Sequence, residues 1–515
     1  MLARATFPLL AAASGLLAQN DYNYDKLTAA RLGDTLTLQI SSAPIIQAAL
    51  FLVSANAGPT PLALIDPLDP RWLAVGTDLL SLMTFAITSP TGSASYSIAL
   101  PNDPQINAIV LHWQTVILNL GVPFFGALGN DVVTQTGLPD TGVLAPDALT
   151  QARAFAAGLV AADNNGGAHD VLLTGGGTGT LTAATGLATT ELWDFRHMDV
   201  VPGPNMTSAR ALHLAVRLPD NRVLLIGGVN AGGGTLATCE IYDPASNSFS
   251  ATGSMATPRT LHAACLLADG RVMVAGGTST LQPDAVAAIT ATLSSVEFWS
   301  PATGTWSAGP AIGGPRLAPA LTRLGNNQVM VSGGVQPSFL FGVPINAVST
   351  TAVQRWNPGT NTWTNGTNMS QGRAGHHYNQ VTLADGRVLM TGGVNVPSLL
   401  GATTAAPISG AEVYNYTNNS WATVNMPTAR ALHSATRLAN GRVVVAGGAQ
   451  GTLLAPTSIA NVEVFNPASN SWAPAPNLLA PRGGHVADLM PDGTLILFGG
   501  QDASATTNTI ETLRF

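Results

Sequence analysis

Apolar runs that end in a Gly-Gly pair punctuate the larger, C-terminal part of the chain. The pairs are Gly175-Gly176, Gly227-Gly228, Gly276-Gly277, Gly333-Gly334, Gly392-Gly393, Gly447-Gly448 and Gly499-Gly500. Each closes a stretch such as Val223-Leu224-Leu225-Ile226 or Val443-Val444-Val445-Ala446, long enough for one buried strand. Turn dipeptides precede several of them, at Asp269-Gly270, Asp385-Gly386, Asn440-Gly441 and Asp492-Gly493. Such dipeptides accept the positive φ values of a tight hairpin. Downstream stands a Glu or Gln, then an aromatic and a Pro or Asn turn: Glu240 with Tyr242, Glu297 with Trp299, Gln354 with Trp356, Glu412 with Tyr414, Glu463 with Phe465. A second aromatic follows the turn, at Phe249, Trp306, Trp363, Trp421 and Trp472. The pattern predicts four short strands in each unit of about 50 residues, and seven units.

These residues resemble the kelch repeat, marked by the Gly-Gly pair, an aromatic after a Glu, and a Trp in the last strand. The resemblance covers about Arg153 to Phe515. It implies an all-β fold, a seven-bladed kelch-type β-propeller with one four-stranded blade per repeat. A single blade cannot bury both of its faces, so the aromatics are expected to pack between blades. The last unit stops after Ile510–Phe515, short of a fourth strand. The segment Gly142–Leu149, or residues just before it, is expected to supply that strand and close the ring.

Ahead of the repeats, residues 20–133 carry alternating or apolar runs, including Thr35–Ile40, Ala49–Val53, Ser95–Leu100 and Ile109–Leu118. Their spacing predicts a small β-sandwich-like domain. An α/β fold is the alternative, because Ile109–Leu118 fits a helix on pattern alone. Residues 134–152 then read as a linker with the closing strand, and 153–515 as the propeller. At the start, Arg4, the apolar run Ala5–Leu17 and the short residues around Ala18 fit a signal peptide over 1–19. The expected location is therefore outside the cytoplasm: secreted, periplasmic or on the cell surface, with no membrane span in the mature protein.

Composition narrows the function classes. Of 515 residues only 10% are charged, net charge is −7, and Lys26 is the sole lysine, so there is no basic stripe for nucleic acid. Cys239 and Cys265 are the only cysteines. Cys239 stands where other units have small or apolar residues, which favours buried thiols over a bridge or a metal pair. No Walker loop, dinucleotide fingerprint, zinc pattern, EF-hand loop or Gly-x-Ser-x-Gly elbow occurs. No metal site and no cofactor is expected.

The candidate binding residues are the arginines that open the units: Arg153, Arg210, Arg259, Arg316, Arg373, Arg430 and Arg482. Blade topology places them around one mouth of the central channel, on the face that also carries the long connections 278–295, 335–351 and 394–410. An Arg ring under partly apolar loops suits a carboxylate or acidic glycan. The competing reading is a structural device, an interblade ion pair. It has support in Glu191, Glu240, Glu297, Glu412, Glu463 and Glu511, with Gln354 in the remaining unit. His213, His262, His376, His433 and His485, each three residues after an Arg, read as hydrogen-bonded parts of the inner strand. The expected function is an exported, non-catalytic protein that binds glycan or protein on this face. The alternative is a carbohydrate-active enzyme, like the copper-radical sugar oxidases or the sugar isomerases built on kelch propellers. Tyr378 beside His376 and His377 is the nearest approach to a copper cluster of that kind.

Overall fold

The computed structural model describes residues 20–26, 35–41, 48–54, 57–61, 72–75, 84–87, 93–100, 110–118, 125–129, 132–135 and 142–515, the last range without 163–168, 179–184, 196, 282–284, 342, 399–404, 453–454 and 503–504. The expected signal peptide, 1–19, lies outside the described residues.

From Gly142 onward the chain forms seven four-stranded antiparallel sheets among the described residues. The second sheet shows the plan: Leu214–Arg217 pairs with Val223–Ile226, which pairs with Cys239–Asp243, which pairs with Ser248–Thr252. The second strand is short, unbranched by charge and buried on both sides; Val223, Leu224, Leu225 and Ile226 are each 0% exposed. A strand flanked by other sheets on both faces has no polar side, which is why these runs are continuously apolar rather than alternating. The inner strands neighbour one another around a closed circle, from Ala157–Ala162 through to Val486–Leu489 and back. This is a β-propeller. Its last sheet is completed from the other end of the repeat region, because Gly142–Leu144 pairs with Ile510–Arg514.

Aromatics fasten each sheet to the one before. In the sixth sheet Phe465 and Trp472 face each other across the third and fourth strands at 5.1 Å. The indole N–H groups of Trp306, Trp363 and Trp421 each donate to a carbonyl of the preceding unit, Gly253, Pro310 and Thr367, at 2.8 Å. The body of the ring fills the space between sheets while its single donor finds an acceptor. Trp299 and Trp356, buried in the third strands, sit in the apolar clusters between neighbouring sheets.

The N-terminal region forms an eight-stranded sheet, with Ala57–Pro61 and Trp72–Val75 as a separate hairpin. Residues 110–118, for which a helix was the alternative, form a strand paired with Ala48–Ser54. Tyr96, on the Ala94–Ala99 strand, packs against both Phe51 and Trp113. This region leans on the rim of the propeller. Val110 packs on the cluster of Leu149, Trp193, Phe195, Met198 and Met490, and Arg514 Nη2 donates to the Gln135 carbonyl at 2.9 Å.

Candidate functional site

Antiparallel strands divide the connections between two faces. Links from second to third strands, and from each sheet to the next, fall on one side, which we call the insertion face. The short turns after the first and third strands fall on the other, the turn face.

The seven repeated arginines lie just beneath the insertion face, and none is available to a ligand: each is at most 2% exposed. In every unit Nη1 donates to the carbonyl of the first glycine of the Gly-Gly pair, over 2.7–3.3 Å. It also donates to a carbonyl just ahead of the third strand, over 2.7–3.2 Å. Nη2 turns to the third strand's acid: Glu191, Glu240, Glu297, Glu412, Glu463 or Glu511, at 2.5–3.3 Å. The expectation that these residues bind a ligand is therefore corrected. Their side chains are buried and their Nη1 groups donate to carbonyls of the same sheet, while each Nε is buried with no hydrogen-bond partner among the described residues; the ion pair is also within a sheet and not between sheets.

What does cross between sheets is the arginine backbone. The N–H of the second glycine donates to the carbonyl of the next unit's arginine, as in Gly228 to Arg259 at 2.9 Å, and Gly500 closes the circle onto Arg153 at 2.9 Å. Gly227 and Gly228 have φ of 58° and 95°, a region that side chains resist. A Cβ on Gly227 would meet the Arg259 carbonyl oxygen at 2.4 Å. The Gly-Gly pair is thus both a strand end and the contact surface for the neighbouring sheet.

Burial pulls the guanidinium pKa of Arg153, Arg259, Arg373, Arg430 and Arg482 down, and the paired glutamate of each opposes this. Arg316, which faces Gln354 at 3.4 Å instead of a carboxylate, is pushed down by burial to about 10. The histidines form a second collar. His213, His376 and His433 reach Thr174, Ser332 and Thr391 of the preceding sheets at 2.8, 3.1 and 2.9 Å, and His485 reaches Ser434 at 3.0 Å. In His262 both ring nitrogens are buried with no hydrogen-bond partner among the described residues. Burial, then the adjacent arginine, lowers His213, His376 and His433 well below the usual value, and lowers His262 and His485 to about 3. These rings are neutral at pH 7.

Above this layer stands a finger. Val335–Leu340 and Val343–Ser349 pair as a hairpin inserted between the second and third strands of the fourth sheet. Its base is anchored: Val335 and Ala347 join a buried cluster with Ile289, Ala374, Val396 and Ala405. Its upper half is apolar and in water, with Phe339 40%, Leu340 54%, Phe341 97%, Val343 62% and Ile345 56% exposed. The sequence flagged this connection; only the structure shows that it projects.

Sequence reasoning missed three other arginines. Arg217, Arg323 and Arg437 end the inner strands of the second, fourth and sixth sheets, at the turn face. The available signal was the leucine before each first turn, Leu218, Leu324 and Leu438, which aligns the units and shows an Arg immediately ahead of it.

No protein-family model matches the chain, and no curated protein does. Among solved structures it is similar to a fungal alcohol oxidase of the AA5 family in complex with copper, at 18% identity and a TM-score of 0.54, over 73% of this chain and 75% of that one. It is also similar to YjhT, at 14% identity and a TM-score of 0.45, over 64% of this chain and 98% of that one. Similarity at this identity defines the class, an all-β propeller protein. It also overturns the expectation of a non-enzyme. That expectation took the propeller as a binding scaffold for want of a catalytic motif, and the neighbouring structure shows this fold in an enzyme.

Among the described residues, no three His, Cys, Asp or Glu side chains form a group able to hold a metal ion. His376 is engaged with Ser332, and both cysteines are free thiols that burial pushes up, Cys239 to about 11 and Cys265 to about 12. No helix among the described residues is long and apolar enough to cross a membrane.

Proposed function

We propose that the chain is an exported recognition protein, a seven-bladed propeller of the kelch kind, that engages a protein partner through its insertion face. In this reading residues 20–133 form a separate module on the rim and 153–515 form the propeller. The observation that carries the reading is the finger. Five large apolar side chains cluster on one anchored hairpin and stay in water in the isolated chain, an arrangement that marks interaction surfaces. Burying two phenylalanines and their aliphatic neighbours supplies the central anchor of a protein interface. The same side chains offer few hydrogen bonds to a glycan, so protein is the favoured member of the expected pair.

The test compares wild type with Phe341→Asp and Leu340→Asp variants. A partner captured from the extracytoplasmic fraction by wild type is purified and its affinity measured. Retention by wild type with loss of about tenfold or more in each variant supports the reading. Equal binding by wild type and both variants overturns it. A second reading, turnover of an alcohol or sugar, has its support in the fold shared with the alcohol oxidase. Oxygen consumption over a panel of primary alcohols and sugars, with and without added copper, tests that reading.

A further inference from the structure

We propose that the turn-face mouth of the central channel is an oxyanion site formed by Arg217, Arg323 and Arg437, taking a small ligand that bears a carboxylate or phosphate. The three occupy one register position. Each is the last residue of an inner strand and pairs with the first residue of the second strand, Val223, Val329 and Val443. The same position holds Val160, Leu266, Thr382 and Leu489 in the other sheets, so the arginines stand in alternate sheets of the closed ring.

None of the three forms an ion pair among the described residues; Arg217 is half-buried and Arg323 and Arg437 are exposed. Arg437 Nη1 donates to the Thr382 carbonyl of the fifth sheet at 3.0 Å, and Arg217 Nη2 donates to Asn221 Oδ1 at 2.7 Å. These neutral contacts position two guanidiniums without neutralising them. Three of the turn arginines on this face contrast with them: Arg222, Arg271 and Arg387 are each paired at 2.7 Å with the Asp of their own turn.

The nearest acid on the inner strands is Asp488 of the seventh sheet, whose Oδ2 accepts the Val160 N–H at 2.9 Å. Asp488 and Arg217 both stand in the turn-face half of their inner strands, Val486–Leu489 and Leu214–Arg217, with the first sheet between their own. One row deeper, Gln380 Oε1 accepts from Thr322 Oγ1 at 2.8 Å while its Nε2 is buried with no partner among the described residues. Three arginines at one register position, against a single and already hydrogen-bonded acid on the inner strands, suit a ligand that brings negative oxygens.

The site lies on the face opposite the finger, so its success or failure is independent of the proposed partner surface. The experiment is titration calorimetry on the full chain at low salt, with citrate and with inorganic phosphate as probes. Saturable binding of either probe that weakens about tenfold or more in Arg323→Ala and in Arg437→Ala supports the site. Citrate binding the tighter assigns a carboxylate ligand, and phosphate the tighter a phosphoryl ligand. Both arginines are exposed, so unchanged thermal unfolding is expected of the variants. The control is Arg442→Ala, on the same face but off this register. Equal weakening in the control shows only diffuse surface charge and overturns the site. So does the absence of binding of both probes at about 10 mM.

Discussion

On the insertion face, the seven connections between second and third strands hold by sequence only two charged residues, Asp284 and Asp502. On the turn face, Asp220 with Arg222, Asp269 with Arg271 and Asp385 with Arg387 sit in the first turns of the second, third and fifth sheets as exposed or half-exposed pairs. Charge is not missing from the insertion side; it lies one layer down, in the buried Arg–Glu pairs. The two ends of a single inner strand therefore treat arginine differently. At the insertion end, glycine carbonyls and a glutamate converge on it and exclude water. At the turn end the nearby acids pair with other arginines or with backbone, and Arg217, Arg323 and Arg437 form no ion pair among the described residues. Position within the unit, not residue type, decides whether an arginine is scaffold or surface.

Acid is expected to break the insertion side first and hardest. His213, His262, His376, His377, His433 and His485 all have folded-state pKa values below the ordinary 6.5, with His377 at about 4. Below pH about 6.5 the unfolded chain takes up protons that the folded chain refuses, so stability falls as pH falls. Each ring contributes about 1.4 kcal/mol per pH unit until its folded pKa is reached. Denaturant unfolding between pH 7.5 and 5 measures this, and a flat profile would sink the account. Next in size is Arg210→Met, which leaves Glu240 buried without its cation and is expected to cost about 3–5 kcal/mol. Arg222→Ala on the turn face is expected to cost under about 1 kcal/mol, because its pair with Asp220 is solvated. Equal losses would erase the distinction between the faces.

Much of the propeller is legible in the sequence because its marks are local. A short β-branched run such as Val443–Ala446, bounded by Asn440-Gly441 and Gly447-Gly448, reads as a buried strand, and Asp-Gly dipeptides such as Asp385-Gly386 specify their own turns. What depends on a neighbouring sheet is not legible. The Gly227-Gly228 pair reads as a strand end, yet its second task, receiving the Arg259 carbonyl, involves a residue one unit away. The repeated arginines fail as binding candidates for the same reason. Seven matching Arg and six matching Glu announce a relation, but only the packing shows that Gly175 O, Thr189 O and Glu191 all close on Arg153. Arg217, Arg323 and Arg437 occur in only three of the seven units, so no mark common to every repeat announces them.

The exception among the buried arginines sharpens the comparison within the insertion side. Arg316 has Gln354 where six units have Glu, and burial alone acts on it. Gln354→Glu is expected to return a carboxylate to Arg316 and stabilise the chain by about 1 kcal/mol, a modest gain because desolvating the new acid offsets much of the attraction. Thermal unfolding at neutral pH measures it. A loss of stability would mean that the present contacts of Gln354, with the Gly313 N–H at 2.8 Å and Asn365 Oδ1 at 3.2 Å, outweigh the missing charge.

The smallest effect is expected at the most conspicuous residue. Phe341 is 97% exposed at the end of the finger, while the hairpin is held at its base by Val335 and Ala347. Phe341→Ser therefore removes no packing and is expected to change unfolding free energy by less than about 0.5 kcal/mol. Phe341 also has φ of 50°, a conformation that a bulky residue adopts at a cost and that serine bears no worse. The same change is expected to reduce self-association at high concentration, measurable by sedimentation, since it shrinks an exposed apolar patch. A large drop in stability would show that the tip folds back onto the propeller in solution. In that event the apolar side chains belong to the core of the insertion face, and the partner surface has to be sought elsewhere.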